Sequence, residues 1–174
     1  MPVRQSVSPS ICQSIRPFLE GKILDVCAAP GGKGFQFSQD YPDQFLLNDV
    51  SASRLKKVRQ NMQRLNLSRP MMQSDGSRLP LPSGSMDGTL LDVPCSSTGT
   101  IRKSPDIKWM ENLKSLLRQT ELQEKLLKEA ARVVRKGSWI AYSTCSLESE
   151  ETQLPLQLSE ELGLQTISWG ALPE

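Results

Sequence analysis

The stretch "KILDVCAAPGGKG", residues 22–34, contains the strongest fold signal in the chain. Its first six residues indicate a short strand, and the glycines after them indicate a tight turn into a helix. Gly31 and Gly32 can adopt positive φ and let a ligand approach the backbone closely. The amide groups that open the next helix would face that ligand. The stretch therefore predicts a strand–turn–helix unit with a ligand site, although a plain glycine turn would give the same pattern.

Apolar runs and helical patterns alternate along the rest of the chain. Six strands are predicted, at residues 22–27, 44–49, 70–75, 86–93, 138–145 and 164–170. Helices are predicted at residues 33–39, 51–67, 116–134 and 151–163, the last interrupted near Pro155. This alternation predicts an α/β fold, a doubly wound and mostly parallel sheet with helices on both faces. In such sheets, ligands bind beyond the carboxyl ends of the strands.

The composition limits the classes of function. A chain of 174 residues suffices for one domain, and its net charge of +2 permits a nucleic-acid partner without requiring one. No apolar run is long enough to span a membrane and no secretory signal begins the chain, so we expect a cytoplasmic protein without a membrane partner. The absence of histidine excludes Ser-His-Asp and Cys-His catalysis. Four cysteines without a Cys-x-x-Cys pair argue against a metal site.

Polar or reactive groups follow the predicted strands, at Asp49, Asp75, Asp92, Cys95 and Cys145. Asp49 could accept hydrogen bonds from a ribose diol, or it could cap the next helix. Asp75 could accept from an adenine amino group, or it could belong to an ordinary Asp-Gly turn. Because the carboxyl ends of parallel strands share one edge of a sheet, we expect these groups to lie on one rim.

Cys95 and Cys145 are the most informative pair, since each follows a strand and each is followed by a serine. A single buried free cysteine is usually inert, and Cys12 and Cys27 are assigned that structural role. Two cysteines at neighbouring strand ends are instead expected to flank the same substrate. Without histidine, a nucleophilic thiolate would need a helix N-terminus, a lysine or arginine, or the substrate itself.

Five segments, in order, carry a family resemblance: "DVCAAPGGKG", "NDVSASRL", "DGSRLP", "DVPCSSTGTIRKSPDIKW" and "YSTCSLESEE". They resemble the motifs of RNA (cytosine-5-)-methyltransferases of the Sun/Nop2 (RsmB-like) family, and the match runs from residue 22 to residue 151. The resemblance implies a Rossmann-like S-adenosylmethionine-dependent methyltransferase fold. It also implies methyl transfer from S-adenosylmethionine to carbon 5 of a cytosine in RNA, through a covalent cysteine–cytosine adduct.

Two parts of the usual family architecture are not found in the sequence. These are the last, antiparallel strand of the sheet and the separate N-terminal RNA-binding domain of many relatives. We therefore expect residues 1–174 to form a single catalytic domain, with residues 1–20 as a lead-in helix. Ser97 also stands where many relatives have glycine, a change that we expect to be tolerated.

The resemblance assigns roles to particular residues. It makes Cys145 the nucleophile and Cys95 the residue that assists release of the product. It gives as cofactor-binding positions Cys27, Ala28, Ala29, Pro30, Gly31, Gly32, Lys33, Asp49, Arg54, Asp75 and Asp92. Asp92 could instead hydrogen-bond the cytosine, and Lys33 is hypothesised to lower the pKa of Cys145.

The segment "TIRKSPDIKW" bears on RNA binding. Arg102, Lys103 and Lys108 would contact phosphates, while Trp109 is either a stacking surface or, as we expect, part of the core. Because the segment looks most like the bacterial ribosomal members, ribosomal RNA is the expected substrate, with transfer RNA as the second choice. A cytosine in paired RNA would have to be extruded first.

Two other classes of function remain as alternatives. One is a non-catalytic, cofactor-binding or RNA-binding remnant of the family. The other is a nicotinamide-dependent oxidoreductase, which would have the same kind of sheet. The chain lacks the GxGxxG turn of such enzymes, and this function would leave both cysteines unexplained.

Overall fold

A computed structural model describes residues 21–38, 45–110 and 113–166 of the chain. Its five strands are β1 Ile23–Asp25, β2 Phe45–Asp49, β3 Met71–Gln73, β4 Met86–Asp92 and β5 Val134–Ser143. They form one sheet in the order β3-β2-β1-β4-β5, and every neighbouring pair is parallel. The prediction of a doubly wound parallel sheet is confirmed.

The described helices are α1 Gly32–Ser38, α2 Ala52–Arg64, α3 Ile107–Met110, α4 Leu113–Val133 and α5 Ser149–Glu161. Pro155 lies inside a continuous α5, so the predicted interruption is wrong: the proline removes one N–H donor, and the helix continues on both sides of it. The lead-in helix over residues 1–20 lies outside the described residues. So does most of the predicted sixth strand, and its described part, residues 164–166, is not a strand.

Two apolar layers hold helices on both faces of the sheet. On one face, the strand residues Leu24 and Leu91, with Val26 just after β1, belong to the same buried cluster as Leu126 of α4 and Leu158 of α5. On the other face, the buried cluster comprises Ala28, Phe35, Leu47, Leu55, Val58 and Met62, from the β1–α1 unit, β2 and α2. The α2 residues in it recur at helical spacing, which is why the sequence predicted this helix well.

The start of β5 differs from the sequence prediction. The strand begins at Val134, directly after α4, and not at residue 138. Val134 pairs with Met86 and Trp139 pairs with Gly88, so the register shifts between these two pairs. Gly88 is required there, because a Cβ would lie 2.3 Å from the Trp139 ring. Pairing with the long strand β4 therefore adds residues to β5 that its own sequence does not mark as strand.

The sheet order places the functional segments side by side. β4 lies between β1 and β5, so the turns that follow these three strands share one edge of the sheet. At the end of the β4–β5 pairing, Asp92 lies opposite Ser143. Within the described ranges, no helix has the length and apolar character needed to cross a bilayer.

Candidate active site

The β1–α1 turn has the shape that its glycines predicted. Gly31 has φ of +105°, and a Cβ there would lie 2.2 Å from the ring of Phe35. Gly32 opens α1 and has no positive φ, so the prediction is right for Gly31 alone. The turn is anchored from α2, where Asn61 Nδ2 donates to the Pro30 carbonyl at 3.1 Å. At Gly31, the backbone is thus free of side-chain atoms beside the first amides of α1.

Asn48, which sequence reasoning missed, connects three strand ends. Its Nδ2 donates to the carbonyls of Val26 and Ser74, at 2.9 and 3.2 Å. Its Oδ1 accepts from the Ser74 N–H at 3.1 Å. The side chain is fully buried, so these bonds are strong constraints on the rim. In the sequence, this role was indicated by the polar side chain of Asn48 inside the apolar run of β2.

A small cleft lies at the β1–α1 turn. It is lined by Asp25, Cys27, Ala28, Ala29, Pro30, Gly32, Lys33 and Asp92. All of these except Asp25 were predicted as cofactor-binding positions. The remaining predicted positions, Gly31, Asp49, Arg54 and Asp75, do not line the cleft itself.

Asp25 is a buried acid that sequence reasoning treated only as part of a strand. Burial, and then the nearby charge of Asp92, raise its pKa to about 7. Burial also raises the pKa of the neighbouring Cys27 thiol to about 12, so Cys27 stays protonated. An aspartate inside an apolar strand was the signal that pointed to this group.

Lys33 forms an ion pair with Asp92 across the cleft. Lys33 Nζ also donates to Ser143 Oγ at 3.1 Å, and Ser143 Oγ donates to Asp92 Oδ1 at 2.8 Å. The hypothesis that Lys33 lowers the pKa of Cys145 is wrong, since the lysine is held by Asp92 and the pKa of Cys145 is raised. The cation instead joins the first turn of α1 to the ends of β4 and β5.

Asp49 makes the bonds of a helix start. Its Oδ1 accepts from the Ser51 N–H at 2.8 Å and pairs with Arg54 Nη2 at 3.0 Å. Asp49 is buried and Arg54 is half exposed, so the arginine covers the carboxylate. Ser51 is the N-cap of α2. The N-cap role considered for Asp49 is therefore filled by Ser51, and Asp49 supports the helix start through the Ser51 N–H, at the rim where a ribose was expected.

Asp75 adopts the second role considered for it, that of a turn residue. Its Oδ1 accepts from the N–H and the hydroxyl of Ser77, at 2.8 and 2.7 Å. These bonds lower the pKa of the exposed Asp75 carboxyl. The arrangement is an Asx-type turn after β3.

Cys95 and Cys145 meet, as predicted from the strand order. Their sulfurs lie 2.8 Å apart, and the Cys145 N–H donates to Cys95 Sγ at 3.4 Å. Both thiols are free; Cys145 is exposed and Cys95 is half-buried. The two sulfurs thus lie together at the strand ends, and the expectation that both contact one substrate stays a prediction. A substrate has to approach the sulfur pair from its solvent side.

The two thiols titrate as one unit. The hydrogen bond between the sulfurs lowers the pKa of Cys95 to about 5 and raises the pKa of Cys145. One proton is therefore shared by the pair, and the second is lost only with difficulty. The pair provides one thiolate at neutral pH without a histidine, which is the requirement for a nucleophile here.

Ser97 adjoins both sulfurs in a strained backbone conformation. It has φ of +61° in the left-handed region, which costs a non-glycine residue about 1 kcal/mol. Its Oγ lies 3.3 Å from Cys145 Sγ and 3.9 Å from Cys95 Sγ. The predicted tolerance of serine here is consistent with this geometry, because the left-handed conformation is formed with Ser97 in place.

The turns that carry the two cysteines are bonded to each other. The Gly99 N–H donates to the Cys145 carbonyl at 3.0 Å, and the Leu147 N–H donates to Thr98 Oγ1 at 2.9 Å. A Cβ on Gly99 would lie 2.7 Å from the Cys145 carbonyl oxygen. The segment after β4 therefore packs directly on the segment after β5.

Arg102, Lys103 and Trp109 are exposed on the segment that follows Gly99. Trp109 exposes 89% of its surface, so the expectation that it lies in the core is wrong. It lies on α3, a four-residue helix outside the apolar layers of the sheet. The side chain of Lys108 lies outside the description. Among the residues that the structure describes, no group of three or more His, Cys, Asp or Glu side chains could hold a metal ion.

The parallel sheet and the site at its strand ends define the class: the fold is that of Rossmann-like S-adenosylmethionine-dependent methyltransferases. PH0851 is similar at 28% identity and a TM-score of 0.81, over 89% of this chain and 37% of that one. NSun6 from Pyrococcus horikoshii with SFG is similar at 26% identity and a TM-score of 0.77, over 92% of this chain and 43% of that one. A methyltransferase of Clostridium acetobutylicum, at 12% identity over 74% and 46% of the chains, shares only the fold at a TM-score of 0.51.

The chain belongs to the family described as 16S rRNA methyltransferase RsmB/F, whose model matches residues 13–163. Ribosomal RNA small subunit methyltransferase B of Photorhabdus laumondii is 36% identical over 152 residues, 84% of this chain and 35% of its own. The Vibrio cholerae protein of that name is 38% identical over 139 residues, which are 78% of this chain and 32% of its own. The chain thus spans about a third of the length of these curated relatives. The family resemblance in the sequence motifs is confirmed.

Proposed function

We propose that this chain carries the active site of an S-adenosylmethionine-dependent RNA (cytosine-5-)-methyltransferase that acts on ribosomal RNA. The observation that carries the proposal is the pair of free sulfurs, 2.8 Å apart, on the same edge of the sheet as the β1–α1 cleft. Relatives named for ribosomal RNA methylation support the substrate class. Transfer RNA is the second candidate substrate.

The residues of the cleft fit S-adenosylmethionine. Two acidic side chains, Asp25 and Asp92, suit a ligand that carries an ammonium and a sulfonium group. Gly31 keeps the backbone free of side-chain atoms beside the first amides of α1. Asp49, outside the cleft, would accept from a ribose only after Arg54 moves aside. SFG, present in the similar NSun6 structure, is an analogue of this cofactor. When bound, the cofactor supplies an electrophilic methyl group on sulfur.

The sulfur pair supplies the chemistry on the base. Cys145, the exposed member, forms a bond to carbon 6 of cytosine while its proton passes across the hydrogen bond to Cys95. Addition at carbon 6 breaks the 5,6 double bond and makes carbon 5 enamine-like, which is the nucleophile that methylation requires. After methylation, carbon 5 loses its proton to water and the bond from carbon 6 to sulfur breaks. Cys95 then returns the proton to the departing Cys145 thiolate.

The surface around the sulfur pair suits an unstacked nucleotide. Stacking covers both faces of a base in a helix, so a cytosine must leave its helix before the exposed Cys145 sulfur can reach carbon 6. Arg102 and Lys103 are exposed and basic, and Trp109 presents a free aromatic face. Stacking of one base on such a ring contributes about 1–3 kcal/mol. Asp92 lies at the end of β4, three residues before Cys95, and would accept from the cytosine amino group.

A trapping experiment tests the proposal. Ribosomal RNA that carries 5-azacytosine should form a covalent complex with the protein in the presence of S-adenosylmethionine. Cys145→Ser should abolish the complex, whereas Cys95→Ala should still form it. On RNA with ordinary cytosine, Cys95→Ala should accumulate the Cys145 adduct, because its release is slow. Cys12→Ser is the matched control for loss of a thiol outside the pair. If Cys145→Ser formed as much complex as the unaltered protein, the assigned nucleophile would be wrong.

Ligand titration separates the alternatives. Fluorescence titration should show binding of S-adenosylhomocysteine and none of NADH, whereas an oxidoreductase would show the reverse. A non-catalytic remnant would bind S-adenosylhomocysteine yet form no covalent complex with any RNA. Competition between ribosomal and transfer RNA in the trapping assay identifies the substrate class.

A further inference from the structure

Glu151 is a fully buried carboxylate that none of the preceding chemistry uses. It lies in the first turn of α5 and has no solvent-accessible surface. Its oxygens accept from the Ser96 N–H at 3.1 and 3.3 Å, from Ser96 Oγ at 2.5 Å and from Gln123 Nε2 at 2.7 Å. A buried carboxylate is costly unless hydrogen bonds satisfy it, so this cluster of donors requires an explanation.

Ser96 connects Glu151 to both turns that carry the reactive sulfurs. Ser96 directly follows Cys95, and Ser146 directly follows Cys145. The two serine hydroxyls lie 2.8 Å apart, so Glu151 contacts the first turn directly and the second through Ser96. Ser146 Oγ also accepts from the Glu148 N–H at 3.0 Å, which ties it to the start of α5. The repeated Cys-Ser pattern of the sequence thus converges on one carboxylate.

Gln123 extends the same cluster to the segments before each turn. Its Nε2 also donates to the Pro94 carbonyl at 2.9 Å, and its Oε1 accepts from the Tyr142 hydroxyl at 3.1 Å. Pro94 precedes Cys95, and Tyr142 lies near the end of β5. Gln123 is itself fully buried in α4. Glu151 and Gln123 together therefore hold the chain on both sides of Cys95 and before Cys145.

We propose that Glu151 is a positioning residue of the sulfur pair, which sets the separation of Cys95 and Cys145 by bonding the Cys95 turn directly and the Cys145 turn through the Ser96 hydroxyl. This rests on the proposed function in one respect, namely that the sulfur pair is the reacting centre. Every bond to Glu151 uses a carboxylate oxygen as acceptor. A glutamine there keeps one acceptor oxygen and places an NH₂ group where the other oxygen was. The Ser96 hydroxyl would then have to accept where it now donates, or the NH₂ would face the amide of Gln123, and either change reorders the hydrogen bonds that join the two turns.

The test compares Glu151→Gln with Glu150→Gln, its exposed neighbour on the same helix. Misplacement of a reacting group by about 1 Å costs about 100-fold in rate. We expect Glu151→Gln to slow adduct formation with 5-azacytosine RNA by about that factor. The affinity of this variant for S-adenosylhomocysteine should stay unchanged, because Glu151 is not among the residues that line the cofactor cleft. The midpoint pH of the first thiol titration should also rise toward that of an ordinary cysteine. Glu150→Gln should change neither this midpoint nor the rate of adduct formation.

Ser96→Ala is the second variant, in case Glu151→Gln does not fold. It removes the hydroxyl that connects Glu151 to Ser146 and keeps the N–H bond, so we expect a smaller change in the same direction. Normal adduct formation and an unchanged thiol titration in folded Glu151→Gln, with only a lower melting temperature, would overturn the proposal. If the unaltered protein formed no adduct, the proposed function would fail, while the thiol titration would still decide the role of Glu151.

Discussion

The ionisation of the sulfur pair can be tested by removing one of its members. In Cys145→Ala, Cys95 loses the S–H group that lowers its pKa to about 5, and its pKa should return toward the ordinary value of 9.0. At pH 7, a thiol of pKa 5 is ionised in about 100 molecules for each protonated one, and a thiol of pKa 9 in about one molecule per 100. The variant should therefore lose nearly all its thiolate at neutral pH.

The assay should measure the amount of thiolate and not its reaction rate. A thiolate of lower pKa is also a weaker nucleophile, with a Brønsted coefficient of about 0.4–0.5. Over four pKa units this lowers its reactivity by about 40- to 100-fold, which nearly offsets the gain in population. Alkylation rates at pH 7 would then look similar in the two proteins. Ultraviolet absorbance of the thiolate, followed against pH, avoids this cancellation.

The titration is best made in a Cys12→Ser background. Cys27 contributes no signal in this range, because burial raises its pKa to about 12. Cys145→Ser serves as the control, since its hydroxyl still donates to the Cys95 sulfur and should keep the midpoint below that of Cys145→Ala. The reasoning would be refuted if the unaltered protein showed no thiolate below pH 7, or if Cys145→Ala left the midpoint unchanged.

Three further substitutions test the site from other directions. The pKa of Asp25 rises from 3.8 unfolded to about 7 folded, so the unfolded state loses its proton first and stability falls as pH rises across that window. Asp25→Asn should therefore raise the melting temperature at about pH 8 more than at about pH 4, and an equal effect at both would contradict this. Gly99→Ala should slow adduct formation without weakening cofactor binding, because its Cβ would push on the Cys145 carbonyl. Ser97→Gly and the control Asn66→Gly should each stabilise the fold by up to about 1 kcal/mol in thermal unfolding, and only the first should shift the thiol titration.

The sequence was sufficient for the order of the five described strands and of four of the five described helices, because those signals are local. The four-residue helix α3 was not predicted. Helical spacing in α2 and glycines after β1 report on a few neighbouring residues at a time. Parallel strands bring their carboxyl ends to one edge, so the meeting of Cys95 and Cys145 also followed from topology. Where a local pattern was weak, as at the start of β5, pairing of Val134 with Met86 of β4 decided the boundary.

The sequence by itself determined the parallel sheet, its reactive edge and the identity of the two thiols. Only the tertiary structure decided which partner each side chain has. Lys33 pairs with Asp92 and not with Cys145, Trp109 is exposed, and Glu151 lies buried beneath both cysteine turns. These outcomes depend on the register of β4 against β5 and on how α4 and α5 pack over them. A hydrogen-bond partner changes with shifts of about an ångström, which no local spacing of residues encodes.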